Sequence, residues 1–209
     1  MMTFYISKPK LISSITGVAV ILLFSLDQTS WAAVINCPPT PTVCNGTSGD
    51  DIMFASYPSG SFMHGLAGND YILASGTNPN YIWGDDGNDI LFGAVGNDRL
   101  EGGRGNDKYD GYSGDDTILD MPYIEGSLVN NDDLISGGPG NDYILSGEGL
   151  DRIYGGSGND QIYPSAGNSR DFSYDFIDCG PDINDRLAFF FSSDGETAMN
   201  CEYVQDMDR

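Results

Sequence analysis

Residues 84–119 are four unbroken copies of one nine-residue unit, at 84–92, 93–101, 102–110 and 111–119. Every copy carries Gly at positions 1 and 4, Asp at position 6 and an apolar or aromatic residue at position 8. A period this short leaves room for a six-residue glycine-rich turn and a three-residue strand, with one side chain per strand facing inward. Glycine supplies the φ > 0 backbone that such a turn requires. One unit is then half a coil, two units close a coil, and stacked coils share a thin continuous core. The pattern predicts a solenoid.

The unit resembles the hemolysin-type, or RTX, calcium-binding nonapeptide repeat, and the resemblance extends over roughly residues 45–187. It implies an all-β fold, a parallel β-roll in which successive repeats alternate between two stacked sheets and the turns pile up on two opposite edges. Position-6 carboxylates then face one another. Two unit charges about 4 Å apart repel by about 4 kcal/mol at an effective dielectric near 20, and a hard cation with an oxygen shell removes that repulsion. The resemblance makes that cation Ca2+, several ions per chain, with turn carbonyls completing the shell.

Carrying the register outward predicts the metal ligands Asp51, Asp70, Asp89, Asp98, Asp107, Asp116, Asp133, Asp142, Asp151 and Asp160. Position 8 then runs Met53, Ile72, Leu91, Leu100, Tyr109, Ile118, Ile135, Ile144, Ile153 and Ile162, which is the expected core. Residues 56–64 and 75–83 align as degenerate units with Ser61 and Asn80 at the ligand position. If units alternate edges, Asp51, Asp70, Asp89 and Asp107 share one edge, and Ser61, Asn80, Asp98 and Asp116 share the other. The first coils would bind calcium along a single edge, and the second edge would become competent only from Asp98. The expected pairs are Asp51/Asp70, Asp70/Asp89, Asp89/Asp107, Asp98/Asp116, Asp133/Asp151 and Asp142/Asp160. Asp51, at a run end, and Asp133, beside an irregular turn, are as readily half-formed sites as full ones.

Composition narrows the partners. The 31 acidic against 9 basic residues give a formal net charge of −22, which argues against nucleic acid and anionic membrane surfaces. Residues 1–32 read as a secretory signal, with Lys8 and Lys10, an apolar stretch at 11–26 and cleavage after Ala32. The alternative is a retained anchor, although this stretch is shorter than a membrane span. An N-terminal signal departs from the toxins of the family, which the resemblance associates with a C-terminal one. Export followed by folding outside the cell fits the calcium supply there. The four Cys, even in number, suit an oxidising setting. Three pairings exist, and proximity favours Cys37 with Cys44 and Cys179 with Cys201.

Residues 33–45 read as an irregular N-terminal cap, 46–163 as the roll, and 164–209 as a degenerate repeat and C-terminal cap. Residues 120–127 and 164–169 break the register as surface loops. No enzyme motif is present, and the one His, His64, falls at an outward position. Outward positions 7 and 9 carry Phe54, Phe62, Tyr71, Leu73, Tyr81, Trp83, Ile90 and Phe92 in the first coils, an apolar stripe that suits a binding surface or shielding by the termini or by a second copy of the chain. The function expected is that of a secreted, calcium-folded β-roll with a structural or adhesive extracellular role and no catalysis. The alternative is a carbohydrate-binding or accessory module of a secreted enzyme system, with a glycan or cell-surface partner on the aromatic rows.

Overall fold

A computed structural model describes residues 20–23, 32–38, 43–55, 59–120, 131–164, 174–182, 184–189 and 197–206. Its strands, in chain order, are β1 (Val20–Leu23), β2 (Ala32–Cys37), β3 (Val43–Asn45), β4 (Ile52–Ala55), β5 (Phe62–Ala67), β6 (Tyr71–Leu73), β7 (Tyr81–Asp86), β8 (Ile90–Ala94), β9 (Arg99–Arg104) and β10 (Lys108–Tyr112). They continue as β11 (Thr117–Leu119), β12 (Leu134–Pro139), β13 (Tyr143–Leu145), β14 (Arg152–Ser157), β15 (Gln161–Tyr163), β16 (Phe176–Asp178), β17 (Arg186–Phe189), β18 (Thr197–Met199) and β19 (Tyr203–Asp206). From β2 onward the even strands build one sheet and the odd strands the other. Neighbours within each sheet run parallel, and β1 alone lies antiparallel, on β2. This is the two-sheet parallel roll that the repeat predicts.

Position 8 fills the space between the sheets. All of the expected core residues are buried, from Met53 and Ile72 through Ile162 at 0% exposure, with Tyr109 at 3%. They stack in register, Leu91 beside Tyr109 beside Ile135 in one sheet and Leu100 beside Ile118 beside Ile144 in the other. Met63 and Ile82, from the two degenerate units, and Ile177 and Leu187, beyond the second block, extend the same columns. A fully buried aliphatic side chain of this size stabilises by about 1.5–3 kcal/mol, and no second layer backs any of them.

Position 4 shows why the turns need glycine. Gly87 has φ +151°, and a Cβ there would lie 1.7 Å from the Gly68 carbonyl oxygen of the preceding coil. Gly158 has φ +129°, with its Cβ position 1.7 Å from the Gly140 oxygen. Backbones of successive turns touch at these points, so a side chain is excluded sterically as well as conformationally.

The N-terminal segment differs from the expectation of an irregular cap. Ala33, Ile35 and Cys37 alternate inward along β2, and β2 and β3 pair in parallel with β4 and β5. β2 and β3 therefore belong to the roll, as the first strand of each sheet's parallel run. The Cys37–Cys44 disulfide crosses its interior from one sheet to the other, and Cys179–Cys201 joins the end of β16 to the chain just before β19. Most of the signal at 1–32, the loop at 121–127 and residues 165–169 lie outside the described residues. Asp120, read as the start of a surface loop, is at 0% exposure and faces the interior.

In calcium-saturated protein, Ile144→Ala is expected to cost about 2–5 kcal/mol of unfolding free energy, because a one-side-chain-thick core cannot close over the cavity. Gly158→Ala is expected to cost more than about 1 kcal/mol through backbone contact and strain. Denaturant titration of both variants against the unmodified chain at fixed calcium reads the two effects.

Candidate metal centre

Turns that lead from an odd to an even strand lie on one edge and place Asp51, Asp70, Asp89, Asp107, Asp133, Asp151 and Asp175 in a row. Turns of the opposite sense place Ser61, Asn80, Asp98, Asp116, Asp142, Asp160 and Asp185 on the other edge. The rows are tied by one recurring hydrogen bond, in which the backbone N–H of each ligand-position residue donates to Oδ1 of the carboxylate one coil further on. On the first edge Asp51, Asp70 and Asp89 donate in this way to Asp70, Asp89 and Asp107 at 2.7 Å each. Asp98 donates to Asp116 at 2.7 Å, Asp133 to Asp151 at 2.9 Å and Asp142 to Asp160 at 2.9 Å. All six expected pairs are neighbours, and the expected division between the edges is the one observed.

The rows do not stop at the break. Asp107 N donates to Asp133 Oδ1 at 2.7 Å and Asp116 N to Asp142 Oδ1 at 2.8 Å, so both rows run across it. They also run past residue 160, since Asp151 N donates to Asp175 and Asp160 N to Asp185, each at 2.9 Å. Asp175 and Asp185 were not among the expected ligand positions. Their signal in the sequence is the triplet of Asp, any residue, then an apolar one, here Asp175-Phe176-Ile177 and Asp185-Arg186-Leu187, without the paired glycines that mark the tandem turns, although Gly180 precedes Asp185.

The second carboxylate oxygen carries the chemistry. Oδ2 of Asp70, Asp89, Asp107, Asp116, Asp142, Asp151, Asp160 and Asp185 is buried and makes no hydrogen bond. An unpaired buried anion is costly, which points to a cation as the missing partner. The position-1 glycine opens the space for it: a Cβ on Gly84 would lie 2.2 Å from Asp89 Oδ2 and 2.7 Å from the Gly102 carbonyl oxygen of the next turn. The same convergence recurs at Gly65 with Asp70 and at Gly137 with Asp142. The donor set is all oxygen, carboxylate and main-chain carbonyl, which suits calcium and not the nitrogen and sulfur preferences of zinc. Among the described residues no three His, Cys, Asp or Glu side chains converge, so carbonyls have to complete any coordination shell.

Burial pushes these acids up. Asp70 and Asp142 rise to about 7, Asp107, Asp116 and Asp151 to about 8, and Asp89 and Asp160 to about 6. Desolvation is the largest cause in each, the inter-coil N–H bond works against it, and neighbouring carboxylates add to it.

Where a row begins, the protein closes the carboxylate itself. Asp51 accepts from Ala33 N at 2.7 Å and from the Thr47 N–H and hydroxyl. Asp98 accepts from Asn80 N at 2.7 Å, from Asn80 Nδ2 at 2.9 Å and from Ala94 N at 2.6 Å. Position 5 forms a second ladder. Asn88 N donates to Asn69 Oδ1 at 2.9 Å and Asn106 N to Asn88 Oδ1 at 2.7 Å, and Asp115, Asn141 and Asn159 repeat this on the other edge. These exposed side chains tie turn to turn outside the buried row.

Two stretches of the chain, residues 83–118 and 136–170, match the RTX calcium-binding nonapeptide repeat, in four copies. No curated protein and no solved structure matches the chain.

Raised carboxyl pKa values mean that the metal-free fold binds more protons than the unfolded chain between about pH 4 and pH 8. In chelator, the folding stability is therefore greatest below the unfolded carboxyl pKa and is lost as pH rises through the folded values of about 6 to 8. Thermal melts in chelator are expected to show a cooperative transition at pH 5 that weakens or vanishes at pH 8, the reverse of ordinary acid denaturation.

Proposed function

The chain carries RTX calcium-binding nonapeptide repeats, and from that premise we propose that this calcium-binding β-roll is exported, orders its turns as calcium binds, and serves a structural or adhesive role outside the cell without catalysis. The observation that carries the reading is the row of buried Oδ2 oxygens with no hydrogen-bond partner. Asp70, Asp89, Asp107 and Asp151 on the first edge, and Asp116, Asp142, Asp160 and Asp185 on the second, are the proposed ligands. Asp51 and Asp98 head their rows on protein donors and contribute half-sites.

Calcium bound between two turns would neutralise the facing carboxylates. Occupancy at ten times the dissociation constant stabilises by about 1.4 kcal/mol per site. Several such sites acting on one thin roll are enough to decide between folded and unfolded. Extracellular calcium modules work at dissociation constants of roughly 10⁻⁴ to 10⁻³ M, and the two disulfides suit the same compartment. Removal of the signal after Ala32 would leave the edge of β2 without its antiparallel neighbour β1.

The outward aromatic rows support the structural role over the carbohydrate-binding alternative. Phe62 and Tyr81 stack at 4.8 Å with planes 8° apart, and His64 and Trp83 at 4.3 Å and 4°. Rings on adjacent strands thus cover one another's faces, the surfaces on which a sugar ring would stack. His64 also pairs with Asp85 at 3.3 Å. These contacts brace the coils in which the second edge lacks carboxylates.

Circular dichroism of the mature chain is expected to show a largely unordered spectrum in chelator and a β spectrum in millimolar calcium, with calorimetry giving a calcium-dependent midpoint. A fully folded, unchanged spectrum in chelator would refute the role of calcium in folding.

A further inference from the structure

One member of the first row departs from the rest in its middle. Successive ladder partners are 18 or 19 residues apart as far as Asp107 and then 26 apart to Asp133. In this longer turn, position 1 is occupied by Asp120. Its N–H donates to Leu145 O at 2.7 Å, as the position-1 Gly46 N–H donates to His64 O. Position 1 points inward, so the Asp120 side chain enters the interior that glycine leaves open in the preceding coils. Position 4, glycine in the four tandem copies, is Asn131.

These replacements act together. Tyr109, the polar member of an otherwise apolar position-8 series, donates its hydroxyl to Asp120 Oδ1 at 2.7 Å. The Asn131 side-chain amide donates to Asp120 Oδ2 and, at 3.2 Å, to Asp133 Oδ2. Its orientation is set by Gly105 N, which donates to Asn131 Oδ1 at 2.8 Å. All four side chains are at 3% exposure or less. Asp133 Oδ2 therefore has a protein donor, whereas the same oxygen of Asp70 and Asp89 in the same row has none. Asp51 and Asp98 are also closed by protein, but through the backbone of their own turns and at the head of a row. At Asp133 the Asn131 amide and the Asp120 carboxylate that faces Asp133 take up the space where Asp70 and Asp89 leave an oxygen open to a cation, and it is the amide hydrogens, turned toward both carboxylates, that do not fit a calcium ion there.

We infer that the turn carrying Asp133 holds no calcium on that carboxylate: the Asn131 amide stands in the cation's place, and the Tyr109–Asp120–Asn131–Asp133 network divides the first edge into two separate ion rows. The second edge stays continuous through Asp116, Asp142 and Asp160. This rests on the calcium-binding reading of the repeats, and the test keeps the two apart. Native mass spectrometry of the full chain in calcium counts ions in the unmodified protein and in Asp89→Asn, Asp133→Asn and Asp120→Asn. Asp89→Asn is expected to lose calcium, while Asp133→Asn and Asp120→Asn bind as many ions as the unmodified chain. Tyr109→Phe is expected to keep the count and melt several degrees lower. Loss of calcium in Asp133→Asn or Asp120→Asn, comparable to that in Asp89→Asn, would overturn the inference and make Asp120 or Asp133 a ligand. An unmodified chain that binds no calcium would instead overturn the calcium-binding reading. If the carboxylate variants do not fold, anomalous scattering from calcium-loaded crystals of the unmodified chain decides: ions beside Asp70, Asp89 and Asp151 with none beside Asp133 support it, and an ion on Asp133 or Asp120 overturns it.

Discussion

The structure depends on how one carboxylate divides its two oxygens. Oδ1 of each ladder aspartate takes the backbone N–H of the previous coil, which fixes coil spacing and register on that edge. At Asp70, Asp89, Asp107, Asp116, Asp142, Asp151, Asp160 and Asp185, Oδ2 is then buried in the turn with no hydrogen-bond partner. The bond that aligns the coils is the same one that strands a charge, so structural order and cation demand are consequences of a single placement. Burial sets the size of the problem, as it is the leading cause that raises Asp107 and Asp116 to about 8. A roll with an interior one side chain thick has little apolar surface with which to offset several such penalties.

The glycines follow from that placement. At position 1 a side chain would occupy the space into which Oδ2 and the next turn's carbonyl project, as at Gly84. At position 4 it would strike the neighbouring turn's backbone, as at Gly87. Position 6 therefore dictates what positions 1 and 4 tolerate, and the nine-residue motif is one steric and electrostatic unit. Two turns of the first row do take a side chain at position 1: Ser146, buried and donating to Pro164 O at 3.0 Å, and Asp120 in the longer turn, where the adjoining carboxylate no longer lacks a donor.

Much of this was legible in the sequence because period and register are one-dimensional. A nine-residue repeat assigns Ile118 to the core and Asp116 to the edge without knowledge of any long-range contact, and alternation alone places Asp51 and Asp70 on the same edge. What escaped was whatever had lost the glycines. Asp175 and Asp185 sit in turns of irregular length, so the register could not be counted through to them. Residues 32–45 have no Gly and Asp signature, and their three prolines at 38, 39 and 41 drew attention from the inward alternation of Ala33, Ile35 and Cys37. Asp120 was hidden because a broken register reads as a loop, and a loop gives no reason to expect a buried carboxylate. The position-5 ladder was invisible for another reason, since Asn is as good a turn former as it is an acceptor for the next coil.

The uneven distribution of carboxylates gives the roll a direction. In the coils around Ser61 and Asn80 the second edge lacks a row of charges, and there the Cys37–Cys44 bridge and the stacked Phe62, Tyr81, His64 and Trp83 rings supply cohesion that needs no ion. From Asp116 onward both edges carry buried carboxylates, and Oδ2 of Asp116, Asp142, Asp151, Asp160 and Asp185 has no hydrogen-bond partner. Because each coil contacts chiefly its neighbours, stability in a solenoid is close to a sum of local terms joined by interfaces. The N-terminal coils, with buried carboxylates on one edge only, thus hold less charge between their turns than the later ones, and the disulfide bridging β16 to the segment before β19 limits how far the opposite end can fray.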